Sequence, residues 1–162
     1  MTKIYRIIIF LTLINLPFST YAHIQHYEDL KRIEFDIYRN NKLIGTHIFS
    51  FKKLDGQLAV KSEINFKIKK FGIVLYTYHV EGTEIYEDGK LIKFNSKTNQ
   101  NGKEKYVNMI LENEEYTIDG SSYQGKVPED YLLGTWWNHS IVKAVAQISA
   151  VSGRIIKQKV TY

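Results

Sequence analysis

The stretch LYTYHVEGTEIYEDGKL, Leu75 to Leu91, sets one histidine and four acidic residues among three tyrosines. In an extended chain alternate side chains share a face, so Tyr76, Tyr78 and Val80 point one way while Thr77, His79, Glu81 and Thr83 point the other. His79 and Glu81 are therefore neighbours. Such a pair could hold zinc or act as a histidine–carboxylate general base. Zinc needs three or four convergent ligands, and a base needs a nucleophile or an activated water within reach. His47 is a further candidate, but no HxH or HExxH spacing brings it into register. The primary reading is the polar face of a strand. A hydrolase or metal-dependent enzyme using His79 and Glu81, with His47, is the alternative; no catalytic residue, metal ligand or cofactor is assigned.

Other chemistries find less support. Cysteine is absent, which excludes thiol catalysis, disulfides and a lipoprotein anchor. GSSYQG, residues 120–125, lacks the G-x-S-x-G spacing and the strand-to-helix setting of a nucleophile elbow. Neither a G-x-x-x-x-G-K-[ST] nor a G-x-G-x-x-G run occurs, so nucleotide binding has no motif to rest on. TWWNHS, residues 135–140, points to packing or binding instead: adjacent tryptophans send one ring to each side of the chain. One belongs to a core; burial of both is the preferred reading, and a second ring left free to close an opening or meet a ligand or partner is the alternative. Trp136 and Trp137 thus join Tyr76, Tyr78, His79, Glu81 and His47 as candidate ligand-binding residues.

The N-terminus bears on compartment. Lys3 and Arg6 precede a near-apolar run, Ile7 to Leu16, that ends at Pro17, and Thr20 and Ala22 are the small residues a signal peptidase requires at −3 and −1. Residues 1–22 are predicted to be a Sec-type signal peptide cleaved after Ala22, delivering a single β-rich domain, 23–162, to the periplasm. The apolar run falls short of the ~20 residues that cross a bilayer, so no transmembrane segment is expected in the mature chain. Two of the 22 basic residues leave with the leader, so twenty face 17 acidic ones and the mature charge is +3. The lysines are spread along the chain, and no nucleic-acid partner is expected. A chain of this size buries ~68–70% of its unfolded surface, enough for one domain without staples.

The elements that must position these residues are strands. Ile33, Phe35 and Ile37 alternate with charged residues, as do Leu58, Val60, Ile64, Phe66 and Ile68 with polar ones. Asn40-Asn41, Asp55-Gly56, Asp88-Gly89 and Asn101-Gly102 tolerate the positive φ of two-residue hairpin turns. Strands are predicted near 31–39, 42–53, 58–69, 73–86, 90–99, 104–112 and 115–119, with 120–130 a polar loop and a last strand in RIIKQKVTY. Asn138 caps a predicted helix, with Ile141, Val142, Val145 and Ile148 on one side. The fold class is mainly β: an antiparallel meander forming a curved sheet or partly closed barrel, with one short α-helix near 138–148. Gly45, Gly72 and Gly82 mark expected bulges or bends.

FDIYRNNKLIGTHIFSF, YTYHVEGTEIYEDGKL, NQNGK, TWWNHS and SGRIIKQKV together resemble a family of uncharacterised exported proteins of Gram-negative bacteria, a domain of unknown function best represented in proteobacteria. The matching elements are an IG-x-H run at Ile44 to His47, a Tyr-x-Tyr-His strand at Tyr76 to His79, and an aromatic-Trp-Asn junction at Trp136 to Asn138. The resemblance covers residues 28–161 and implies fold and compartment, with no activity attached. Relatives continue for one or more strands beyond RIIKQKV, so the chain reads as C-terminally short. Many also carry a proline where His139 stands. The expected function is that of a periplasmic protein binding an apolar or amphipathic envelope molecule, or a protein partner, on the concave face of its sheet. A purely structural envelope component is the remaining reading.

Overall fold

The computed structural model describes residues 29–159. The expected signal peptide and the last residues of the predicted C-terminal strand lie outside them. Eight strands form one antiparallel meander, each paired with its neighbour in sequence: β1 (Arg32–Arg39), β2 (Lys42–Leu54), β3 (Gln57–Lys70), β4 (Ile73–Glu87), β5 (Lys90–Gln100), β6 (Lys103–Glu112), β7 (Glu115–Gly120) and β8 (Tyr123–Pro128). The sheet is open, since β1 and β8 do not pair with each other, so the partly closed barrel is not formed. Seven of these strands lie within a few residues of their expected positions.

Turn chemistry explains that accuracy. Asn40-Asn41, Asp55-Gly56, Asp88-Gly89, Asn101-Gly102 and Asn113-Glu114 all place both central residues at positive φ, as a primed hairpin turn demands. Phe71-Gly72 does the same, with φ of 51° and 81°. Gly72 is thus a turn residue, not a bulge. Bulges fall instead at Ile37/Tyr38, Ile68/Lys69 and Ile85/Tyr86, the first of them opposite Gly45. Gly82 sits in regular pairing, where a Cβ would stand 2.8 Å from Ser62 Oγ.

Three expectations are corrected near the C-terminal end. The polar loop at 120–130 contains β8, an edge strand whose mostly exposed residues disguise its alternation; only Val127 is fully buried. The α-helix at 138–148 is a 3₁₀ helix, His139–Lys143, followed by extended chain. Its continuation is blocked from both sides. Gln158 Nε2 donates to the carbonyls of Ile141 (2.6 Å) and Ala144 (2.8 Å), and Ala146 and Ile148 alternate with Gln147 as a strand, not a helix face. That strand, β10 (Ala146–Ile148), pairs in parallel with β9 (Leu132–Leu133) and antiparallel with β11 (Ile155–Lys157). The predicted final strand is therefore a strand of only three residues within the described chain.

The small sheet lies against one face of the large one. Phe49, Phe51, Val60, Phe94, Val107, Met109 and Ile118 of the large sheet form one buried cluster with Leu133, Trp137 and Ile148. The turn after β10 is tied down by Ser96 Oγ donating to the Ala150 carbonyl (2.6 Å) and Ser122 N donating to that of Ser152 (2.8 Å). A Cβ on Gly120 would stand 2.8 Å from the Ser152 carbonyl oxygen, so the absence of a side chain there permits the contact. The opposite face carries Lys61, Lys93, Asn95 and Lys97 into solvent.

Candidate functional site: a buried carboxyl group beside an apolar cavity

Strand register decides where the expected site residues go. His47 pairs with Ile64, which pairs with Val80, so His47 belongs to the face that bears the core. His79 pairs with Asn65, which pairs with Thr46, and so lies on the solvent face. The His47 and His79 side chains therefore leave the sheet in opposite directions. His79 Nε2 is 3.6 Å from Glu81 Oε1, with the two side chains 44% and 53% exposed. Glu63 and Lys97 flank Glu81 in register. The His79–Glu81 neighbourhood expected from alternation is present as a solvated pair, and no group of three acidic or histidine residues able to hold a metal occurs among the described residues.

His47 packs its ring 4.2 Å from that of Phe49 and 6.3 Å from that of Phe35, and burial lowers its pKa. Tyr76 and Tyr78 flank Phe66, at centroid distances of 5.9 and 5.1 Å, on the same face. The tryptophans separate, which corrects the preferred expectation that both are buried: Trp136 is 74% exposed, while Trp137 is buried edge-on between Phe51 (5.4 Å) and Tyr86 (5.6 Å).

Glu84 was not among the expected residues. It is fully buried in β4, on the core-bearing side. Three donors converge on it: Tyr86 Oη at 2.5 Å and Thr135 Oγ1 at 3.4 Å reach Oε2, and Trp137 Nε1 at 2.9 Å reaches Oε1. Burial raises its pKa to about 7, against the opposing pull of the three hydrogen bonds, Tyr86 first. The Tyr86 hydroxyl is pushed well above its usual range by burial and by the adjacent carboxylate. The sequence signal was available: two residues on from Gly82 and two before Tyr86, Glu84 has the same parity as Val80. Alternation alone puts a carboxylate on the apolar face, where it must find donors.

Tyr86 connects this network to a cavity of about 280 Å³ between the β4–β5 end of the large sheet, β9 and the 3₁₀ helix. Leu91, Leu132, Leu133 and Ile141 supply apolar walls, and Tyr86, Tyr116 and Asn138 supply polar atoms. Asn138 Oδ1 accepts from Ser140 N (3.0 Å) to cap the 3₁₀ helix. Tyr116 Oη donates to the Leu91 carbonyl (3.0 Å), and burial, then the Glu129 carboxylate, pushes its pKa to about 12. Both hydroxyls therefore stay protonated at neutral pH. Lys90 and Glu129, which also line the cavity, form an exposed ion pair at 2.8 Å. Chemically this is a hydroxyl-bearing apolar site, with Asp88, Lys90 and Glu129 among its lining, next to the buried Glu84 carboxyl group. It offers hydrogen bonds and apolar area.

A family model described as a domain of unknown function (DUF6134) matches residues 35–162. No curated protein and no solved structure matches the chain.

Proposed function

We propose, from the premise that this chain belongs to the DUF6134 family, that it is an exported binding protein of the bacterial periplasm. It carries a small apolar or amphipathic envelope molecule on the core-bearing side of its sheet. The observation that carries this reading is the cavity walled by Leu91, Leu132, Leu133 and Ile141, with Tyr86, Tyr116 and Asn138 placed to orient a polar end. A few fixed polar groups in an apolar concavity are what a small-molecule site requires. The leader-like residues 1–22 support the compartment, which fractionation of cells expressing the chain with and without them would test.

Native mass spectrometry of the protein recovered by mild periplasmic extraction tests binding directly. A bound species of a few hundred daltons is expected, and Leu132→Trp, which fills the cavity from its half-buried wall, removes it without lowering Tm. A compact, ligand-free wild type that takes up no lipid overturns the reading.

A further inference from the structure

The end of the large sheet remote from Glu84 is unlike the rest of the surface. From Ile37 to Leu54 and from Ile64 to Val80 the chain contains no acidic residue. These two runs form the β1–β2 and β3–β4 turns with the strands around them, and their tips come together around a cleft of about 360 Å³. Four cations, Arg39, Lys42, Lys69 and Lys70, line that cleft over Ile68 and Leu75.

Phe71 stands at the β3–β4 tip. It is 92% exposed, and at φ 51° it occupies the left-handed position that Asn40, Asp55, Asp88, Asn101 and Asn113 hold in the other positive-φ turns. A bulky side chain is disfavoured there. The Lys70 ammonium lies 5.5 Å from its ring centroid. Ile73, Val74 and Leu75 continue the exposed apolar run, and Leu43 is exposed on the neighbouring hairpin. The fold therefore carries a strained aromatic without burying it, beside cations that form no ion pair among the described residues.

Apolar side chains projecting through a collar of lysine and arginine suit the boundary between anionic lipid headgroups and acyl chains. A second copy of the same surface would bring cations against cations. We propose that the paired β1–β2 and β3–β4 tips dock on an anionic lipid surface, with Phe71 and Ile73 entering the headgroup layer and the cleft cations meeting phosphates. This does not rest on the cavity, which lies toward the opposite end of the sheet.

The test is co-sedimentation of the chain from His23, which contains every described strand, with phosphatidylcholine vesicles with or without an equal share of phosphatidylglycerol. Binding to the anionic vesicles is expected to exceed that to neutral ones by about tenfold or more and to weaken at high salt. Phe71→Asn suits the left-handed turn better, so Tm should hold or rise while anionic partition falls by about tenfold. Lys69→Glu with Lys70→Glu, both exposed, should abolish it. Failure to bind either vesicle, equal binding to both, or partition unchanged in these variants overturns the proposal. So does a dimer that Phe71→Asn dissolves in sedimentation velocity, which would make a second copy the occupant.

Discussion

A carboxyl group without solvent contact must be protonated or surrounded by donors, and Glu84 combines the two conditions. Its three donors come from β4 itself and from the TWW segment, so the group fastens the C-terminal part of the chain to the sheet. The folded pKa of about 7 lies above the ordinary 4.5. Across that window the folded state holds a proton that the unfolded state has lost, so this group's contribution to stability is fully present below pH 4.5 and is lost as pH rises through 7. The full change is ~3 kcal/mol for a shift of this size. Glu84→Gln keeps an acceptor for Trp137 and removes the fall: its urea midpoint should not decline between pH 5 and pH 8 and should exceed that of the wild type at pH 8. Trp137→Phe removes a donor from a buried oxygen and should lower stability by ~1–3 kcal/mol, measured by the same titration. The His79–Glu81 pair behaves differently, because both partners are solvated; His79→Ala should leave stability within ~0.5 kcal/mol of the wild type.

At the scale of elements, the hairpins were legible because turn residues and alternation agree. Two left-handed residues between period-two runs admit one local solution, whatever the rest of the molecule does. Phe71 is the exception, and its cost is local: Phe71→Asn should raise stability by ~1 kcal/mol in thermal unfolding, by relieving a left-handed conformation. The segment after Trp137 misled for the converse reason. Asn138 does cap a turn, as expected, and Ile141 and Val142 lie in it, but Val145 and Ile148 fall beyond the helix once Gln147 and Gln158 join their side-chain amides and Gln158 takes the Ile141 and Ala144 carbonyls. Strand β8 was missed because an exposed edge strand has no apolar alternation to display. The joint between the two sheets has a sharp test in Gly120→Ala. Its methyl group meets the Ser152–Gly153 backbone, which cannot move aside like a flexible side chain, so a loss of ~1–3 kcal/mol is expected from denaturant unfolding.

For the molecule as a whole, the distribution of burial implies two tiers of stability. The described core gathers on one half of the large sheet, under β9, β10 and the turn that follows, whereas the β3–β4 tip carries exposed Phe71, Ile73, Val74 and Leu75. Hydrogen exchange should show the slowest amides near Val60, Tyr86, Phe94 and Val107 and markedly faster ones at residues 69–75; uniform protection would contradict this division. By itself the sequence determined seven strands of the meander and four of its hairpin turns, because those follow from local alternation and backbone sterics. It also determined membership in a family described only as a domain of unknown function. Tertiary structure alone decided that His47 and His79 leave opposite faces, that the TWW segment supplies donors to Glu84, and that two basic hairpin tips share one cleft. Each of these depends on which strand lies beside which and on what covers the sheet, and such long-range pairings are set by packing across the whole chain, beyond the reach of local periodicity.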